Sequence, residues 1–181
     1  MFKWAIAFSA ALSGCYGDPH SFAIEDTFTD EEVEVIKEAV AEWQLATDSS
    51  DADLIITEGL HRDEAFDLDK HWYGSTDHGT IYKIHDYEHG YYELRESMTG
   101  RDYDGAALSP DRILVVGNKS KRRLKQIILH ELGHIYGIDH QDKGLMSSKP
   151  TQICIDTHTL IEFCEEWSCG PNAHGTCLVS D

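Results

Sequence analysis

The sequence lacks any apolar stretch long enough to cross a membrane as a helix, which takes about 20 residues. The longest apolar run covers only residues 4–12. Basic residues are also scarce, because 15 Lys and Arg stand against 33 Asp and Glu, for a formal net charge of −18. Such an acidic surface argues against nucleic acid or anionic lipid as a partner. It fits plain solubility outside the cell, or an attraction for cationic substrates.

The N-terminus has the order of a secretory signal. Lys3 gives a positive start, and the apolar run at residues 4–12 has the length of a signal-peptide core. The run leads into L-S-G-C, ending at Cys15, which resembles the lipobox of bacterial lipoproteins. The resemblance implies a signal peptide at residues 1–14 and a lipid anchor on Cys15, with ordinary secretory cleavage as the alternative. Tyr16 follows the cysteine, and by resemblance to lipoproteins of double-membraned bacteria this implies a location at the bacterial outer membrane or cell surface.

The most informative pattern is H-E-x-x-H-x-x-G-x-x-H, which begins at His130. Residues four apart lie on one face of a helix, so His130 and His134 present their imidazoles side by side. Gly137 lets the chain leave the helix in a left-handed conformation and return with His140. Three histidines with one open position are the arrangement of a catalytic zinc site. Glu131 can reach a water at the ion and serve as general base.

A methionine turn, residues 144–147 with Met146, follows the third histidine. The whole pattern resembles the metzincin clan of zinc endopeptidases. The A-E-W sequence ending at Trp43 and the A-D-L-I-I sequence at 52–56 resemble matrixin-type catalytic domains, so the resemblance covers about residues 29–166. It implies an α/β (α+β) fold with a twisted, mostly parallel sheet of about five strands, a backing helix, an active-site helix and a small C-terminal subdomain with one helix. It also implies that Met146 packs beneath the zinc and that substrate extends along an edge strand.

Two further groups of residues offer weaker signals. The first lies where matrixins hold structural zinc and calcium, and could bind a second structural metal (Zn²⁺ or Ca²⁺) unless it is simply solvated: His71, His78, His85 and His89, with Asp77, Asp86 and Glu88. The second is a basic run that we interpret as a solvated helix face and not as a nucleic-acid site: Lys119, Lys121, Arg122, Arg123 and Lys125.

Four cysteines crowd the end of the chain: Cys154, Cys164, Cys169 and Cys177. An even number in an exported protein predicts two disulfides, whose pairing stays open because four cysteines allow three connectivities. A second zinc site made of four thiolates is the alternative, but the sequence has no C-x-x-C pair.

The order of predicted elements is mixed α/β. T-D-E-E at residues 29–32 has the spacing of a capping box and opens an amphipathic helix at 30–46. Helices are also expected at 120–137 and within 151–166. Strands are expected at 52–57, 80–84, 91–94 and 112–116, with a leading strand within 16–28. These elements give a signal peptide (1–14), a tether (15–28) and a catalytic domain with a disulfide-stapled tail (29–181).

The sequence thus predicts a zinc-dependent endopeptidase, monomeric and exported, with a protein or peptide substrate, a lipid anchor as its only contact with the membrane and no nucleic acid partner. Two alternatives stay open. One is a lipid-tethered, zinc-containing binding module without turnover, which would leave Glu131 without a purpose. The other is a zinc hydrolase that acts on a non-peptide amide. Secretion without an anchor is the alternative to membrane attachment.

Overall fold

The computed structural model describes residues 21–49, 52, 54–60, 79–84, 104–107 and 112–177. Their elements, in chain order, are β1 (Ser21–Glu25), α1 (Asp30–Thr47), β2 (Ile55–Leu60), β3 (Gly79–Ile84), β4 (Gly105–Ala107), β5 (Arg112–Val116), α2 (Lys121–Ile135) and α3 (Thr157–Glu166).

The described strands form one five-stranded sheet in the order β2-β1-β3-β5-β4. The pairs β1–β2, β1–β3 and β3–β5 are parallel, and only β4–β5 is antiparallel. This mixed α/β architecture with a mostly parallel sheet confirms the coarse fold prediction. β4 lies at one edge of the described sheet, and it is the strand on the side of helix α2.

Helix α1 begins with the predicted capping box. The Thr29 side chain accepts from the Glu32 N–H, and the Glu32 carboxylate accepts from the Thr29 N–H at 2.8 Å. The buried Lys83 ammonium lies 2.6 Å from Glu32, which ties the first turn of the helix to β3. Near the C-terminal end of the helix the fully buried Trp43 donates its indole N–H to the Leu129 carbonyl of α2 at 3.1 Å. The two helices therefore share one core with the sheet.

The predicted elements agree with the structure in type and differ in their bounds. The strand expected at 52–57 lies three residues later, at β2, and the last helix begins only at Thr157 because Asp156 caps it. β4 lies in a section that the sequence left without a strand. Within the expected tether, residues 21–25 form β1, which is a central strand of the sheet.

Several predictions fall outside the described residues. They are the signal peptide, the Cys15 anchor, the strand at 91–94 and the metal group at His71–His89. None of the three described helices combines the length and apolar composition needed to span a bilayer.

The C-terminal tail carries two disulfides, as predicted. They join Cys154 to Cys177 and Cys164 to Cys169. The tail folds back on the end of α1, where the Gly170 N–H donates to the Thr47 carbonyl at 2.9 Å and the His174 N–H donates to the Ala46 carbonyl at 2.8 Å. Carbonyls in the last turn of a helix have no partner within the helix, so the tail supplies their hydrogen bonds.

Candidate metal centre

Helix α2 carries the histidine motif on a buried stretch. Its N-cap Ser120 accepts a hydrogen bond from the Arg123 N–H, and His130 and Glu131 both lie among its buried residues. The helix ends at Ile135, and Gly137 follows with φ of 85°. This left-handed conformation favours glycine because it has no Cβ. The chain therefore turns sharply after the second histidine, as the sequence predicted.

The turn brings three imidazoles together. The Nε2 atoms of His130 and His134 are 3.2 Å apart, and each lies 3.3 Å from Nε2 of His140. Among the described residues this is the only group of three or more metal-binding side chains whose ligand atoms converge in this way.

Backbone carbonyls fix which ring nitrogen faces the centre. His130 Nδ1 donates to the Leu145 carbonyl at 2.7 Å, and His134 Nδ1 donates to the Ile138 carbonyl at 2.8 Å. The lone pairs on Nε2 of both rings therefore point towards the third histidine. Hydrogen bonds of this kind hold the tautomer and orientation of metal-binding histidines.

Burial also keeps these rings neutral. It lowers the pKa of His130 to about 4, against the opposing effect of the Leu145 carbonyl and with the help of the neighbouring positive charges. Burial likewise lowers the pKa of His134. Metal binding requires the unprotonated imidazole, so both ligands are ready at neutral pH.

The triangle fits a metal ion. In tetrahedral geometry, an ion bonded to three nitrogens about 3.3 Å apart lies about 2.0 Å from each of them, and protein zinc–nitrogen bonds measure about 2.0–2.1 Å. Three lone pairs facing each other at this separation repel, and a cation between them removes the repulsion. The three-histidine group can thus hold a metal ion.

Glu131 lies beside this group, with 6% of its surface exposed. Its carboxylate accepts a hydrogen bond from the Ala107 N–H of the edge strand β4. Burial raises the pKa of Glu131 to about 8, although the Ala107 hydrogen bond and the charge of Arg123 oppose the rise. A divalent cation on the adjacent histidines would favour the carboxylate. A buried carboxyl group with a displaced pKa, next to a potential metal site, is a candidate for proton transfer.

Met146 packs against helix α2 at Gly133. The side chain is fully buried, and a Cβ at Gly133 would lie 2.3 Å from its sulfur atom. Only glycine at this position lets the methionine approach so closely. The Gln141 N–H donates to the Met146 carbonyl at 2.9 Å, which closes the loop between the third histidine and the methionine turn.

No family model, curated protein or solved structure matches this chain. The site must therefore be interpreted from its own geometry.

The structure assembles His130, His134 and His140 with Glu131, as the spacing predicted. Sequence reasoning missed the residues that support them. Asp156 accepts a hydrogen bond from the Leu145 N–H at 2.8 Å, while the Leu145 carbonyl holds His130. An aspartate just before a helix is a visible N-cap signal, but its second contact is not visible in sequence. The carbonyls and the Ala107 N–H leave no sequence signal, because every residue carries those groups.

Proposed function

We propose that this protein is a zinc-dependent endopeptidase of metzincin type. His130, His134 and His140 would hold the zinc ion, and Glu131 is the catalytic base. The observation that carries the proposal is a buried carboxyl group beside three converging imidazole nitrogens. Burying an ionisable carboxyl group destabilises a fold unless it is neutralised or compensated. A catalytic role of the Glu131 carboxyl group would explain why the fold tolerates this destabilisation.

When bound, a zinc ion supplies Lewis acidity, which polarises a carbonyl and makes water nucleophilic at neutral pH. The Glu131 carboxylate accepts the proton of the attacking water and delivers it to the nitrogen of the departing amine. The Ala107 N–H orients that carboxylate. Antiparallel pairing with β5 leaves β4 at one edge of the described sheet, and an extended peptide can pair with such an edge.

The proposal includes export and a lipid anchor on Cys15. Two disulfides in the tail support an oxidising compartment, where such bonds persist. Mass spectrometry of the N-terminal peptide from the native host should find Cys15 as the first residue, with acyl chains attached. An unmodified N-terminus downstream of Tyr16 would refute the anchor.

The test of function is incubation of the zinc-loaded protein with a diverse peptide mixture, with cleavage sites identified by mass spectrometry. Replacing any of the three histidines with alanine should remove metal and activity together. Glu131→Ala should keep the metal and lose about 10²–10⁴ in rate, which is the contribution of general-base catalysis. His158→Ala is the matched control, because this exposed histidine on α3 lies outside the metal group.

The outcomes separate the alternatives. Cleavage that depends on Glu131 supports the endopeptidase. A zinc-loaded protein that cleaves no peptide or protein, and that Glu131→Ala leaves unchanged in every assay, is a binding module. Glu131-dependent hydrolysis of a non-peptide amide, with no peptide cleaved, points to the other hydrolase.

A further inference from the structure

Three polar residues outside the metal centre connect helix α2 to strand β4 and to the segment after the methionine turn. Asp104 immediately precedes β4, and Arg123 and Gln126 lie on α2, one to two turns before His130. Neither the metal nor the proton transfer requires them directly. Together these three residues form a clamp.

The first half of the clamp holds the edge strand. Arg123 donates through Nε and Nη2 to Asp104 Oδ2, at 2.8 and 2.5 Å, and Lys119 donates to Oδ1 at 2.5 Å. Both carboxylate oxygens of Asp104 are thus bound, one to Arg123 in the first turn of α2 and the other to Lys119 just before the helix. Next to it, a Cβ on Gly105 would lie 2.4 Å from the Ile127 side chain, so β4 touches the helix directly.

The second half holds the chain after the methionine turn. Arg123 Nη1 donates to the Gln126 side-chain carbonyl. The Gln126 amide group donates in turn to the carbonyls of Pro150 and Gln152, at 2.9 and 2.7 Å. With 7% of its surface exposed, Gln126 is buried between the helix and this segment. Buried amides bind strongly to such partners because leaving them unpaired is costly.

We propose that Arg123 and Gln126 are positioning residues, which fix β4 and the segment after Met146 to helix α2 and thereby set where the Ala107 N–H meets the Glu131 carboxylate. The fork of Arg123 can bind Asp104 and Gln126 together because its donors lie in one plane with fixed directions. A lysine at this position keeps the charge but cannot make both connections. The kinetic part of this inference rests on the proposed function.

The experiment uses the zinc-loaded full chain with Arg123→Met, Arg123→Lys, Asp104→Asn and Gln126→Met. Arg122→Met is the matched control, because it removes the same charge from an exposed neighbour. Hydrogen exchange of the Ala107 amide is measured by NMR, together with zinc content, thermal unfolding, kcat and KM. Lys119 still binds Asp104 when Arg123 is removed, so we expect the variants to fold.

We expect the Ala107 amide to exchange about tenfold faster in Arg123→Met and Asp104→Asn, because its hydrogen bond to Glu131 opens more often. The Ala107 amide of the double variant, Arg123→Met with Asp104→Asn, should exchange no faster than that of either single variant. In each single variant, kcat should fall by about 10- to 100-fold, the effect of misplacing a catalytic group by about 1 Å. Gln126→Met should have a smaller effect on both the exchange rate and kcat, because Lys119 and Arg123 still hold Asp104. Arg123→Lys should not restore wild-type values.

Wild-type exchange at Ala107 in a folded Arg123→Met protein would overturn the inference, and so would equal changes in Arg122→Met. If Arg123→Met does not fold, Asp104→Asn and Arg123→Lys decide by the same measurements. If the wild-type protein cleaves no peptide, the proposed function fails, but hydrogen exchange at Ala107 still decides whether the clamp exists.

Discussion

Replacing Gly133 with alanine tests how closely the methionine turn packs on helix α2. The added Cβ would lie 2.3 Å from the sulfur of Met146 and 2.7 Å from its methyl carbon. Met146 is fully buried, so it cannot simply move into solvent. Forcing an extra carbon into a packed core costs about 1–3 kcal/mol. Alanine is favoured over glycine within a helix by about 1 kcal/mol, which offsets part of that cost.

We therefore expect Gly133→Ala to lose about 1 kcal/mol of unfolding free energy in the metal-free protein. Zinc affinity should fall as well, because moving Met146 also moves Leu145, whose carbonyl holds His130. Denaturant unfolding and competition with a chromophoric chelator measure the two effects.

The control is the same substitution in a Met146→Ala background. With the methionine shortened, nothing opposes the added methyl group, so alanine at position 133 should stabilise by about 1 kcal/mol, the ordinary helix preference. The reasoning would be refuted if Gly133→Ala stabilised the wild-type background by the same amount and left zinc affinity unchanged.

Three further predictions concern pH and the tail. Because the folded pKa of Glu131 is raised to about 8, its neutral form stabilises the metal-free protein, and this contribution is lost as pH rises from 4.5 through 8. Urea unfolding from pH 6.5 to 8.5, above the range where His130 titrates, should show a decline that Glu131→Gln lacks; parallel curves would contradict this. Burial raises the pKa of Asp156, but hydrogen bonds from N–H groups, including that of Leu145, hold it below 3.8. The Asp156 carboxylate therefore stabilises the fold above about pH 4, and this contribution is lost as pH falls through the folded pKa. Asp156→Ala should thus cost about 1 kcal/mol at pH 7 and less at pH 3, and an equal cost at both would count against it. Replacing Cys154 and Cys177 with serine opens a disulfide with a sequence separation of 23 and should cost about 3 kcal/mol of unfolding free energy. Opening the Cys164–Cys169 disulfide, with a separation of 5, should cost about 2 kcal/mol. Thermal unfolding that ranks the two variants the other way would reject the chain-entropy account.

The sequence could predict the features that depend on spacing. The apolar positions of α1, its capping box and strand β5 follow from local patterns, and the histidines of α2 follow from helical periodicity. The mostly parallel sheet, by contrast, was expected from a family resemblance. Strand β4 was not predicted because Gly105–Ala107 consists of three small residues without alternating polar and apolar side chains. It is held in place by its pairing with β5 and by the clamp.

The supporting contacts of the metal centre depend on tertiary structure. The carbonyl that holds His130 belongs to Leu145, which lies fifteen residues away along the chain. Every residue carries a backbone carbonyl, so the sequence does not show which one binds His130. The disulfide pairing is similar, since four cysteines in one tail permit three connectivities, and the fold selects one of them.

The hydrogen bonds from the tail to α1 constrain the order in which the protein can fold. The Thr47 and Ala46 carbonyls accept hydrogen bonds from the N–H groups of Gly170 and His174, which come much later in the sequence. The last turn of α1 therefore receives these hydrogen bonds only after residues 170–174 have been made. We expect a chain ending at Glu166 to show faster hydrogen exchange in the last turn of α1, whereas unchanged protection there would mean that water serves those carbonyls equally well. During synthesis the histidine motif would emerge before the residues that complete the hydrogen bonds of α1.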